Sequence, residues 1–267
     1  MPYTKVAGEQ LFFALVEGDP TRKQNLILVH GAGGDHTHWP AELRRLPRVN
    51  VYALDLPGHG RSGGQGRTSI DDYADSVHLF AQTLGLEQAS VAGHSMGGAI
   101  VQTLALRQPA WLSREVLVGT GARLRVHPII LQGLQTAAAE DLPAETSRSS
   151  LETTIDKICQ WAYGPTTSEQ TLRKGRQQLL RVDPKVIYGD YLACNSFDVM
   201  AQVQDITLPT LIIVGSADQM TPARYGLYLR DEIPGAQLVE IKDGGHMMAV
   251  EKPAEVAQAV AQFLGSL

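Results

Sequence analysis

Residues 88–108 read QASVAGHSMGGAIVQTLALRQ: a β-rich apolar run at 88–93, a turn of the form G-x-S-x-G at 93–97, and an immediate helical run. A strand that passes into a helix over so few residues must bend sharply, and any neighbour bearing a Cβ would strike the backbone on either side. Gly93, Gly97 and Gly98 stand where those collisions would fall. Ser95 then projects its hydroxyl above the carboxyl end of the strand, at a helix N-terminus that favours developing negative charge. Read without its flanks, the pentapeptide is only a glycine-rich helix start; with a strand before it and a helix after it, Ser95 is a candidate nucleophile. His94 is adjacent, and side chains adjacent on a sharp turn point apart, so it is assigned a structural role rather than that of a base.

Outward from this turn, β-rich runs alternate with helical patterns, which indicates βαβ units, a mostly parallel sheet and the α/β class. Strands are expected at 11–16, 26–30, 50–54, 88–93, 115–119, 210–215 and 237–241. Several are almost wholly apolar, as strands covered on both faces by helices should be. Residues 70–85 repeat apolar side chains at helical spacing through Ile70, Tyr73, Val77, Phe80 and Leu84. Asp71 and Asp72 fall in the first turn, with Ser69 or Thr68 as cap. Residues 254–264 read as a C-terminal helix. The alternation breaks over 123–204, where helical segments are punctuated by Pro128, Pro143, Pro165 and Pro184. A structureless loop of that length is implausible inside a compact domain. The expected organisation is therefore a core made of 1–122 and 205–267, with 123–204 as a helical cap.

Three further motifs follow predicted strands. HGAGG at 30–34 comes directly after LILV, where a backbone N–H can meet a substrate oxygen; Ala32 is the expected donor, with Gly31 beside it, and the N–H of Met96 is the second. A dinucleotide G-x-G-x-x-G counted from Gly31 and Gly33 fails, because His36 holds the last glycine position. His30, His36, His38 and Asp35 match no metal-ligand spacing, so no metal is expected. VGSAD at 214–218 ends a strand in a short turn carrying Asp218, and DGGHMM at 243–248 places His246 after the last strand. A histidine that takes a proton from Ser95 needs a carboxylate on its other nitrogen, and both residues belong on loops at the same sheet edge. Alone, Asp218 reads equally as a helix cap near Pro222, and His246 as an ordinary satisfied histidine. Their joint placement assigns Ser95, Asp218 and His246 as nucleophile, orienting acid and base. Asp243 sits too near His246 along the chain, and Asp205 precedes its strand at the wrong end.

Composition narrows the classes. The 267 residues are 43% hydrophobic and 19% charged, with a formal net charge of −5 and no Lys/Arg run, which argues against a nucleic-acid partner. No apolar run reaches the ~20 residues that span a bilayer, so no membrane association and a cytoplasmic location are expected. Cys159 and Cys194 have no metal or CxxC spacing and are read as reduced and buried.

Taken with DLPGHGRS at 55–62, LPTLIIVGSAD at 208–218 and GGHMMAVEKP at 244–253, these motifs make the chain resemble the α/β-hydrolase superfamily, in particular its small capped serine esterases and their C–C-bond hydrolase and lactonase relatives. The resemblance spans nearly the whole chain. It implies an eight-stranded, mostly parallel sheet with the cap inserted after strand six, no cofactor, and a small-molecule ester as substrate. Ser95 stands where dehalogenases and soluble epoxide hydrolases carry an aspartate. Asp55, His59 and Ser62 are assigned structural roles. Leu124, Ile158, Trp161, Tyr188, Tyr191 and Phe197 are expected to line the substrate pocket with Gly31 and Met247. The expected activity is hydrolysis of carboxylic esters of short to medium acyl chain through an acyl-enzyme. A C–C hydrolase of vinylogous diketones, a lactonase and a hydrolase-fold ligand sensor are the alternatives. Oligomeric state is not legible from the residues.

Overall fold

In the computed structural model, which describes residues 2–18 and 24–265, eight strands form one sheet: β1 (Tyr3–Val6), β2 (Glu9–Val16), β3 (Gln24–Val29), β4 (Val49–Leu54), β5 (Ala89–His94), β6 (Leu112–Val118), β7 (Thr210–Gly215) and β8 (Gln237–Ile241). Their spatial order is β1-β2-β4-β3-β5-β6-β7-β8. β2 runs antiparallel to both β1 and β4, and every other pairing is parallel. The helices are α1 (Ala41–Arg44), α2 (Ile70–Thr83), α3 (Met96–Arg107), α4 (Pro128–Ala138), α5 (Ala144–Ala162), α6 (Glu169–Leu179), α7 (Pro184–Ser196), α8 (Arg224–Glu232), α9 (Met248–Glu251) and α10 (Pro253–Leu264). Among the described residues no helix is long and apolar enough to cross a membrane.

The period-2 alternation of the central strands feeds two cores. Ile27 and Val29 pack on one face with Tyr73, Val77 and Phe80 of α2 and Ile100 and Leu104 of α3. Leu26 and Leu28 pack on the other with Trp39, Leu43 and the α10 residues Val256 and Val260. The α2 cap is Ser69, whose side chain accepts the Asp72 N–H; the helix stops at Thr83, just before Gly85 in a left-handed conformation at φ 63°.

Two strands, β1 and β6, differ most from expectation. β1 is additional: it is a four-residue edge strand of which only Val6 is buried, so it lacks an apolar signature. A two-residue turn, Ala7–Gly8, joins it to β2 with both φ values positive (48° and 91°). β6 begins at Leu112 rather than 115, because Ser113 and Arg114 at its start are only half-buried and read as loop.

Helices α4 to α7 lie between β6 and β7, where the cap is expected. Pro128 and Pro184 sit at the first position of α4 and α7, and Pro143 caps α5. Arg123 and Asp198 form an antiparallel bridge, and the Val199 N–H donates to the Ala122 carbonyl, so the two stems of the segment run side by side. Ile130, Leu134, Ile155, Ile158, Ile187 and Tyr191 make a third apolar cluster inside it. The expected spans 1–122 and 205–267 also take in residues 1, 19–23, 266 and 267, which lie outside the described residues.

Candidate active site

The order of the sheet reverses between β3 and β5, so the loops after these strands open a crevice at the carboxyl edge, where ligands of α/β sheets bind. Val29 pairs with Gly93, His94 with Val118 and Gly215 with Ile241, which brings the loops carrying Gly31, Ser95, Asp218 and His246 to one level.

Ser95 stands at φ 53° and ψ −115°, a conformation a non-glycine residue adopts only under constraint. The constraint is visible. Its N–H donates to the Val118 carbonyl at 2.9 Å, and its own carbonyl accepts from Thr120 Oγ1 at 2.9 Å. A Cβ at Gly93 would overlap the Gly97 carbonyl, and one at Gly97 would overlap the Val29 carbonyl. Ser95 precedes α3 without using its hydroxyl as a cap, and the Met96 N–H opens the helix.

His246 lies 2.9 Å from Asp218 through Nδ1 and Oδ2, and both residues are buried. Asp218 also accepts from the backbone N–H groups of Met220 (2.8 Å) and Thr221 (2.9 Å) on Oδ1 and from the Thr221 hydroxyl (2.8 Å) on Oδ2. Burial opposes its charge, but His246 and these donors more than offset it and hold the carboxyl below its ordinary range. Asp218 is therefore spent on His246 and its own turn, not on capping α8, which starts only at Arg224. Asp243 bonds through its N–H to Ser216, and Asp205 is exposed ahead of β7; among the described residues the carboxylate bonded to His246 is Asp218. His94 donates from Nε2 to the His246 carbonyl at 2.9 Å. Burial, then the neighbouring His246, pushes its pKa down to about 3, so the ring is neutral and braces the histidine loop.

The loop after β3 turns back on itself through Gly34 N–H to Gly31 carbonyl at 3.0 Å. A Cβ at Gly31 would come within 3.2 Å of Ser95 Cβ, so this loop presses against the serine turn. Ala32 is half-buried between the sheet core and the cluster of the inserted helices. Asp35, His36 and Asp55 bring potential ligand atoms within 4.8 Å of one another. Hydrogen bonds account for them: Asp55 Oδ1 accepts from His36 N–H (2.6 Å) and lies 2.8 Å from its Nδ1, and Asp35 Oδ1 accepts from the Thr37 N–H and hydroxyl. Asp55 and Ser62 fasten the 55–62 loop, through Arg61 N–H to Asp55 and Ser62 Oγ to the Asp55 carbonyl.

Gly31, Ala32, Ser95 and His246 line one cavity of about 520 Å³, with Leu124, Ile158, Trp161, Tyr191 and Met247 on its walls. Two expected lining residues are elsewhere and need correction. Phe197 is buried in the main sheet core. Tyr188 lies on a separate surface depression beside Gln135, Glu140 and Lys185. The helical repeat explains Tyr188, since the inner face of α7 carries Ile187, Tyr191 and Cys194, and residue 188 is rotated about 100° off it. Both cysteines line the cavity as free thiols, which sequence reasoning missed for want of any motif; Cys159 is half-buried rather than buried. Burial, then Asp156, raises Cys159 to about 11, and burial raises Cys194 further, which makes both poor nucleophiles. Thr221 was also missed. Its signal was there: a threonine three residues after an aspartate is placed to close a local side-chain-to-backbone turn.

A profile of the Alpha/beta hydrolase family matches residues 26–259. The chain belongs to this family. A pimeloyl-[acyl-carrier protein] methyl ester esterase from Pectobacterium atrosepticum is 27% identical over 252 residues, covering 90% of this chain and 93% of that protein. A solved thermophilic esterase is 34% identical with a TM-score of 0.80, covering 98% of this chain and 96% of its own. The enol-lactonase from Burkholderia xenovorans superposes with a TM-score of 0.88 at 24% identity over 99% and 100% of the two chains, a likeness of fold.

Proposed function

We propose that this protein is a serine esterase acting on carboxylic esters of short to medium acyl chain, with Ser95 as nucleophile, His246 as base and Asp218 as the orienting acid. One observation carries the reading: a histidine bonded at 2.9 Å to a buried, multiply anchored carboxylate shares a cavity with a serine held at positive φ. Asp218 fixes the Nδ1–H tautomer of His246, which leaves Nε2 as the proton acceptor. Ser95 Oγ attacks the ester carbonyl carbon as its proton passes to His246. The tetrahedral oxyanion rests on the N–H groups of Ala32 and Met96, and its collapse expels the alkoxide, which takes the proton from His246. A water deprotonated by His246 then attacks the acyl-serine carbonyl; the acyl–Oγ bond breaks, the acid leaves, and Ser95 Oγ takes the proton back from His246.

Residues 123–204 act as the cap and determine the substrate. Leu124, Ile158, Trp161, Tyr191 and Met247 give the cavity an apolar wall, and 520 Å³ is within the range of a small-molecule site. Each methylene that fits contributes about 0.8 kcal/mol. The test is a p-nitrophenyl ester series from acetate to palmitate beside emulsified triolein and a vinylogous 1,5-diketone. The expected result is kcat/KM rising with chain length and then falling once the cavity is full. Best activity on palmitate or triolein overturns the small-cavity reading, diketone cleavage above every ester favours C–C hydrolysis, and a single turnover without recycling favours a ligand sensor.

A further inference from the structure

Asp190 lies on α7, one residue before Tyr191 of the cavity wall, and is fully buried. Its carboxylate receives three donors from three separate parts of the sheet domain. Oδ2 accepts the Gly33 N–H at 2.8 Å and lies 2.8 Å from His59 Nε2, and Oδ1 accepts the Tyr73 hydroxyl at 2.5 Å. His59 Nδ1 in turn sits 3.0 Å from the Pro57 carbonyl oxygen. A carbonyl can only accept, and so can a carboxylate, so both ring nitrogens of His59 carry protons and the ring is an imidazolium. The groups facing it agree. His30, with its ring centroid 4.9 Å away, accepts the Leu56 N–H on Nε2 and so is neutral there. Burial pulls the His59 pKa down, but Asp190, with a smaller contribution from Asp55, more than reverses this and leaves it raised; Tyr73 and His38 complete the surroundings.

A buried ion pair is a poor adhesive, because the desolvation of two charges offsets most of their attraction and an apolar contact would join α7 to the core as well. Where this one lands supplies its meaning. Gly33 stands at φ 65°, and a Cβ there would come within 3.0 Å of Leu179 on α6 and Ile187 on α7, so its N–H meets the inserted helices at close quarters. That N–H belongs to the Ala32–Gly33 peptide plane. Holding the plane fixes ψ of Ala32, while Gly34 N–H and His30 Nδ1, both on the Gly31 carbonyl, hold the plane before it. The direction of the Ala32 N–H lies between these two anchors.

On the reading given above, in which Ala32 supplies an oxyanion donor, we propose that Asp190 is a positioning residue for that donor: its carboxylate, shared by the Gly33 N–H, His59 and the Tyr73 hydroxyl, ties α7 to the loop after β3 so that cavity wall and oxyanion hole keep one geometry. In Asp190→Asn the amide has one acceptor oxygen for the three donors. With p-nitrophenyl butyrate, kcat should fall about 10- to 100-fold, short of the ~10²–10³ of losing a donor outright, with KM within about twofold. Affinity for a trifluoromethyl ketone, which adds to the serine to form an oxyanion, should fall by a similar factor, while affinity for the uncharged butyramide stays unchanged. A merely structural role would lower Tm yet leave kcat per titrated site and ketone affinity within about twofold of wild type, and that result overturns the proposal. Should Asp190→Asn fail to fold, Tyr73→Phe keeps the ring and removes one donor, and the same split at about 3- to 10-fold is expected; wild-type values there overturn it equally. Nitrogen-15 NMR of the wild-type protein at pH 7 should show His59 protonated on both ring nitrogens, and a neutral ring contradicts the ion pair. Ser95→Ala run alongside separates the two readings. Full activity in Ser95→Ala rejects the serine mechanism, whereas an inactive Ser95→Ala beside a wild-type-like Asp190→Asn rejects the positioning role alone.

Discussion

The carboxyl edge of the sheet and the four helices α4 to α7 are built on opposite rules. At the sheet edge, Asp218 and His94 are buried and matched: Asp218 takes the backbone N–H groups of Met220 and Thr221, the Thr221 hydroxyl and His246, His94 holds a carbonyl, and glycines stand where a Cβ would meet backbone. In the helices the charged groups lie outside, in exposed pairs such as Arg148–Glu152, Arg173–Glu169 and Lys185–Glu140, and the inner surface is mostly aliphatic and aromatic. Backbone contacts leave little freedom, whereas packed side chains can be exchanged at modest cost. On the proposed function, reaction geometry is stored in the first region and cavity shape in the second. Asp190 is the exception, a sheet-edge type of anchor carried on an inserted helix.

Substitutions can break this contrast in order of size. On the proposed mechanism, in which the residues act as a unit, Ser95→Ala and His246→Ala should each lower kcat by about 10⁴-fold or more, and the double mutant should be little worse than either. Asp218→Asn should cost about 10⁴-fold with Tm nearly kept. Additive losses in the double mutant would dissolve the unit. In the inserted helices, Trp161→Ala enlarges the cavity, so the preferred acyl chain should lengthen by two or more carbons while kcat/KM on acetate stays within about fivefold. A uniform collapse across all chain lengths would place Trp161 with the sheet-edge group.

Glu115 on β6 extends the contrast to stability. It is fully buried, 2.9 Å from Thr210 Oγ1, which is also 2.9 Å from the Leu208 carbonyl. One hydroxyl proton cannot serve both acceptors fully, which suits a protonated Glu115 donating to Thr210. Burial pushes its pKa up to about 8. A carboxyl whose folded pKa lies above its unfolded one binds more protons when folded, so stability falls as pH rises from about 4.5 to about 8. Glu115→Gln should remove that slope and raise Tm at pH 8 by about 5 °C, read by calorimetry at pH 5 and 8. An unchanged slope would move the titration to another group. The smallest effect belongs to the exposed pairs: Arg148→Ala should shift Tm by less than about 2 °C and leave kcat/KM alone.

The apolar runs of the central strands and the glycine pattern around Ser95 made the sheet and the serine turn legible in the sequence, because both are local consequences of sterics and period-2 burial. β1 was not, since an edge strand with one buried residue carries no apolar signature. Asp218 and His246 were legible only together, through their placement after successive strands. Tyr188 and Phe197 show the limit: whether an aromatic side chain in a helical segment faces cavity, core or solvent depends on helix rotation and on the neighbour it meets. Asp190, 157 residues from Gly33, had no signal, because a single aspartate within a helix reads as solvated surface.

The proposed acyl group on Ser95 can be read directly. Wild-type protein mixed with p-nitrophenyl butyrate, quenched in acid during turnover, digested and weighed by mass spectrometry should show a butyryl group on the peptide containing Ser95, absent in Ser95→Ala. A butyryl group on Cys159 or Cys194, or the same adduct surviving in Ser95→Ala, would contradict the account.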